Sequence, residues 1–144
     1  MIAIKWSLAA VLTVTFFLFG GVIIEFIFIG VGKVAELSGS PSDQSPSYFM
    51  TVVRRVFEFF FGSTLAVYTV IRLVKDLNAF LYLKIFNRLI IAVQVIVVLF
   101  YVAFIGFNSV LILVFVPILE CIGALIGASY GFNLALHKEE CSEI

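Results

Sequence analysis

Polar residues are scarce along this chain and gather in a few places. Between them run four apolar stretches, from about Trp6 to Ile29, Phe49 to Ile71, Phe80 to Ile105 and Val110 to Leu136. Each reaches the roughly 20 residues that carry a helix across a bilayer. None alternates polar and apolar positions as a barrel strand does. In lipid every backbone N–H and C=O must be satisfied within its own segment, so each stretch is read as an α-helix. The pattern predicts an all-α, integral membrane four-helix bundle, up-down-up-down, with residues 1–144 as one transmembrane domain and both termini on the same side.

The connections set the order of the helices. The first is a polar loop over 32–47, "GKVAELSGSPSDQSPS", rich in Ser and Pro. The second, "RLVKDLNAF" (Arg72 to Phe80), is short. The third is only "GFNS" (Gly106 to Ser109), which makes the last two helices a hairpin. The tail "HKEECSEI" is charged and short enough to fray. Lys5 precedes the first apolar stretch, but that stretch is about twice the length of a signal-peptide core, so it is expected to stay as a helix.

Composition sharpens this picture. Charged residues make up 12% of the chain, about half of the roughly one quarter usual in soluble domains. A soluble core of this size could not hide so much apolar surface. Formal net charge is zero, which removes the basic surface that nucleic acid requires. Lys5, Arg72, Lys75, Lys84 and Lys138 fall on the side of the termini, and Lys33, Arg54 and Arg55 on the other. That balance places both termini in the cytoplasm, with the 32–47 loop outside, as in a bacterial inner membrane.

Seven charged residues fall within the four apolar stretches, and a charge near the bilayer centre costs about 2.5–3.5 kcal/mol on the mildest scale. Glu120 lies roughly 15 Å from the outer end of the fourth helix and Glu58 roughly 12 Å from that of the second, at 1.5 Å per residue. Arg54 and Arg55 sit one turn above Glu58, within three or four residues and so on its face. Glu25 lies toward the outer end of the first helix. Turning these side chains inward and pairing them is the cheap solution, because guanidinium matches carboxylate geometry. Arg88 and Gln94 on the third helix are candidates for the same interior, although Lys84 and Arg88 at i, i+4 also suit a face that snorkels to headgroups. The candidate polar set is therefore Glu25, Arg54, Arg55, Glu58, Glu120, Arg88 and Gln94. It reads either as a cavity for a small solute or a proton, or as an ion-paired network that fixes helix register.

Gly123, Gly127 and Gly131 form a tandem G-x-x-x-G along one stripe of the fourth helix. Small residues let two helices approach until their backbones touch. The stripe is expected to pack within the bundle, an oligomer seam being the alternative, and Pro117 is positioned to bend the helix above Glu120.

Enzyme chemistry has little to stand on. The one histidine, His137, rules out a bis-histidine haem within this chain and leaves no Ser–His pair inside the membrane. The two cysteines, Cys121 and Cys141, are not spaced as a redox motif or disulfide framework. No P-loop, nucleophile elbow or H-E-x-x-H occurs. No cofactor and no metal is expected.

Two stretches, "RRVFEFFFGSTLAVY" (Arg54 to Tyr68) and "FNRLI" (Phe86 to Ile90), together with the four-helix plan and the polar loop after the first helix, resemble the DoxX-like group of small bacterial membrane proteins. The "LE" and glycine stripe of the fourth helix depart from that pattern. The resemblance implies a four-helix membrane fold. It implies no uniform activity, some members of the group being similar to accessory subunits of membrane redox complexes. The leading expectation is a structural or accessory subunit that packs on other membrane proteins or on itself. The alternative is transport or binding of a small solute or proton through the outer polar cavity.

Overall fold

The computed structural model describes residues 2–37, 48–74, 77–105 and 110–140, and all but two short turns of them are helical. Four helices follow one another: α1 (Ile2–Leu37), α2 (Tyr48–Leu73), α3 (Ala79–Ile105) and α4 (Val110–Glu140). Each contains a stretch long and apolar enough to cross a membrane, namely Ala3–Val31, Phe49–Leu73, Ala79–Ala103 and Val114–His137. The chain thus has the make-up of a small integral membrane protein.

The 32–47 loop is shorter than its sequence implies, because α1 continues through Leu37. Lys33, Ala35, Glu36 and Leu37 are good helix formers, and no proline intervenes before Pro41. The remainder of that loop, the "GFNS" connection and the last four residues lie outside the described residues. Between α2 and α3 the turn is defined by a Leu77 N–H bond to the Val74 carbonyl. Asn78 then caps α3, its Oδ1 accepting from the Leu81 N–H at 3.0 Å.

The helices are not equal partners. α2 packs extensively on both α1 and α4, and α3 packs mainly on α4. α2 supplies Ala66, Val67 and Val70 to the core, and Val74 just past its end continues the i, i+4, i+8 stripe of Ala66 and Val70. α4 supplies Ala124, Ala128, Phe132 and Ala135. α1 and α3 turn most of their large side chains outward, with Phe26 70% and Ile96 64% exposed. Such a surface would aggregate in water and is ordinary against lipid tails.

The direction of each helix follows from what meets what. Ala9 of α1 shares a core cluster with Val70 and Val74 near the end of α2, and with Tyr82 and Phe86 near the start of α3. Farther along α1, Gly20 meets Gly62. Phe80 of α3 stacks edge-on against Phe132 of α4, while Gln94 reaches back to Glu120. α3 and α4 therefore run antiparallel. Gly123, Gly127 and Gly131 lie against Val56, Phe60 and Thr64 in turn, so α2 and α4 run parallel, in step.

Close approach is what the glycines provide. A Cβ added at Gly123 would stand 2.9 Å from the Val56 carbonyl oxygen, and at Gly127 or Gly131 it would collide with the carbonyl of Phe60 or Thr64. The fourth-helix stripe thus faces α2 inside the bundle. Thr64 reinforces the contact: its Oγ1 lies 2.8 Å from its own-helix Phe60 carbonyl and 3.0 Å from the Gly127 carbonyl of α4. α1 and α2 touch similarly, a Cβ at Gly20 falling 2.7 Å from the Gly62 Cα.

α3 is fastened at its start. Thr13 Oγ1 donates to the Ala9 carbonyl at 2.6 Å, which uses its only proton, so the Tyr82 hydroxyl donates to Thr13 across 2.7 Å. Tyr82 is 5% exposed and belongs to the core, not to an interfacial aromatic belt. Toward its other end a cleft opens between α3 and α2.

Candidate functional site

The cleft lies between α2, α3 and α4 and encloses about 420 Å³. Helical periodicity builds each wall. Thr51, Arg55 and Phe59 recur every four residues on α2, Gln94, Val97 and Tyr101 every three or four on α3, and Pro117 and Glu120 are one turn apart on α4. The same period that puts these groups in the cleft keeps their neighbours Val95, Ile96 and Ile118 outside.

Glu120 is ten positions into α4 and Arg55 seven positions into α2, roughly 15 Å and 10 Å from the end at which α2 begins. Gln94 is eleven positions from the matching end of α3, roughly 16 Å deep. Glu120 and Gln94 are each 6% exposed. Gln94 Nε2 donates to Glu120 Oε2 over a long 3.4 Å. The Arg55 guanidinium stands 3.7 Å from Glu120 Oε1, close enough for an ion pair and too far for a hydrogen bond. Glu120 Oε1 and Gln94 Oε1 are consequently buried without a hydrogen-bond partner. Such groups are uncommon in folded proteins and each carries a desolvation cost of about 1–3 kcal/mol.

Arg54 belongs to a separate pair. Its Nε is 3.1 Å from Glu58 Oε1 but does not point at it, so the contact is Coulombic without a directed hydrogen bond. With side chains 35% and 23% exposed, this i, i+4 pair contributes a few tenths of a kcal/mol, about the value of surface pairs.

The structure thus brings Arg55, Gln94 and Glu120 together, with Arg54 beside Arg55 and Glu58 one turn along α2. It leaves two sequence candidates outside. Glu25 is exposed and makes no ion pair among the described residues. It follows Gly20 by five positions, about 140° around α1 from the face that touches α2. Arg88 is likewise exposed, on the outer face of α3 beside Lys84. Sequence reasoning assigned no cleft role to Thr51, Phe59 and Tyr101. Their i, i+4 and i, i+7 spacing to Arg55 and Gln94 was the available signal. Pro117 forms part of the lining within α4.

Among the described residues no group of three His, Cys, Asp or Glu side chains could hold a metal ion. The cleft offers one carboxylate, one carboxamide, one guanidinium and the hydroxyls of Thr51 and Tyr101 amid Val93, Val97, Val116 and Phe59. That set can bind and orient a small polar molecule, and it lacks a nucleophile paired with a base. A second, smaller cavity of about 250 Å³ lies between α1, α2 and α4, lined by Gly20, Ile23, Phe61, Thr64, Leu65, Tyr68 and Leu134. Its walls are almost wholly hydrocarbon, and the Thr64 hydroxyl is already engaged.

Comparison with known protein families, curated proteins and solved structures gave no match. The resemblance to the DoxX-like group, drawn from two short stretches and the helix plan, finds no support in these comparisons and assigns no residue a role.

Proposed function

We propose that the chain is a small membrane protein that binds a small polar solute in the cleft between α2, α3 and α4, in a transport or sensing role. One observation carries the reading. Two side-chain oxygens, on Gln94 and Glu120, are buried without partners beside a cleft large enough for a solute. Burying an acid at membrane depth is costly, and a purely structural network would be expected to satisfy both oxygens. The charge balance of the helix ends supports both termini being cytoplasmic, in which case the cleft lies toward the opposite leaflet.

The alternative role, an accessory subunit packing on other membrane proteins or on itself, rests on the small extramembrane parts, the lack of cofactor ligands and the glycine stripe of α4. That stripe is spent on α2 within the chain, so it offers no seam to a partner.

The test is Glu120→Gln, which keeps the shape and removes the charge. A panel of small polar solutes is screened against purified protein in nanodiscs by thermal shift, since a ligand that binds only the folded state raises its midpoint. At least one solute should stabilise the parent protein and fail to stabilise the variant, while the variant alone unfolds within a few degrees of the parent. A variant that cannot be purified folded would instead make the cluster a structural element and overturn the reading.

A further inference from the structure

The polar groups of the cleft are unequal in position and in need. Glu120 and Gln94 form the floor, and Arg55 stands above them with 54% of its side chain exposed. Both unpartnered atoms are acceptors, Glu120 Oε1 and Gln94 Oε1, and both are closed to water. What faces the Glu120 oxygen is the Arg55 guanidinium, near enough to offset its charge and too distant to bond it. The neighbouring Arg54 is balanced by Glu58. The four charges therefore resolve into two neutral pairs, one compact and one loose.

Resting on the solute-site reading above, we infer that the solute carries a cationic donor head, an ammonium or amidinium, and that Arg55 is a tethered occupant of the place this head takes. Two buried acceptors ask for two donors. An anionic head would meet two lone-pair oxygens and be repelled. A cationic head supplies the missing N–H groups and replaces the charge that Arg55 withdraws, so the cleft stays neutral. Arg55 can leave cheaply, because it is a long side chain, more than half exposed, holding no hydrogen bond to the acid. Above the floor, Phe59, Val93, Val97 and Tyr101 offer an apolar wall for the body of the molecule, with two aromatic rings suited to a cation's approach.

The probe is benzamidine, protonated at neutral pH, with benzamide as its neutral analogue and benzoate as the anion. Saturable binding is measured by equilibrium dialysis to the full chain in nanodiscs. Benzamidinium should bind the parent protein better than either analogue. If Arg55 holds the acid about nine-tenths of the time, Arg55→Gln should tighten benzamidinium binding about tenfold by removing the competing cation. Arg55→Lys, which keeps a tethered cation, should stay near the parent value, and Glu120→Gln should lose binding. The thermal midpoint of each variant reports that it is folded. Unchanged or weaker binding in folded Arg55→Gln overturns the inference. So does binding of benzamide or benzoate alone; if that binding still depends on Glu120, the solute-site reading survives without the cationic head. Failure of all three probes on both the parent and Arg55→Gln overturns the inference and leaves the wider solute screen to decide the site.

Discussion

Replacing Gly127 by alanine adds one methyl group where α4 and α2 touch. That Cβ would collide with the Phe60 carbonyl oxygen and lie 2.9 Å from its carbon and 3.0 Å from the Phe60 Cα, where ordinary contact begins at 3.4 Å. Everything it meets is backbone, so no side chain can swing aside. The helices must part by something on the order of 1 Å, and such overpacking costs about 1–3 kcal/mol. Parting also lengthens the Thr64 contact to the Gly127 carbonyl, and an interhelical hydrogen bond in a membrane protein averages about 0.6 kcal/mol. The expected loss is therefore roughly 2–4 kcal/mol. Gly21→Ala is the internal control, since nothing lies within 4 Å of its added Cβ. It should change stability by less than about 0.5 kcal/mol. Unfolding is followed by circular dichroism in mixed micelles of rising SDS fraction. Equal midpoints for Gly127→Ala and the parent protein would refute the backbone contact between α2 and α4, and so would an equal loss from Gly21→Ala.

Two further outcomes follow from the geometry. Tyr82→Phe and Thr13→Val each break the bond that fastens α3 to α1, and their double-mutant cycle in the same SDS titration should return a coupling of about 0.6–1.7 kcal/mol; a coupling near zero would show the two hydroxyls are not bonded. Glu25→Gln should leave stability unchanged or raise it, because the exposed acid has no ion-pair partner among the described residues; a loss above about 1 kcal/mol would mean that Glu25 is engaged elsewhere.

The helices were legible in the sequence because the bilayer imposes a length and a composition that few other environments demand. The glycine stripe was legible as a close contact for a similar reason: three glycines four residues apart have few other uses in a membrane helix. Which helix it would touch was not. That depends on α2 packing on both α1 and α4, a property of the packed bundle. Pairing logic placed Arg55, Gln94 and Glu120 in one interior, and the structure brings them there. The same logic drew in Glu25 and Arg88, because cost was weighed without rotation. A residue's depth is readable from its count along the helix, whereas its facing depends on the contact stripe, here set on α1 by Gly20. The bond between Tyr82 and Thr13 had no sequence signature at all, since a tyrosine near a helix start is equally at home at the membrane boundary.

The fourth helix repeats its small residues at even intervals, and Ala135 extends the series beyond Gly131. Sliding it one turn along α2 would set Gly127 against Val56 and Gly131 against Phe60, keeping two of the three close contacts, but would press the Ala135 methyl on the Thr64 carbonyl. By themselves the glycines make a rail with several stops. The Ala135 methyl and the match between the two sides of the cleft together select the native stop, for the same slip of roughly 6 Å would carry Glu120 away from Arg55. The charges that look like a burden in oil thereby serve as the notch on a ruler.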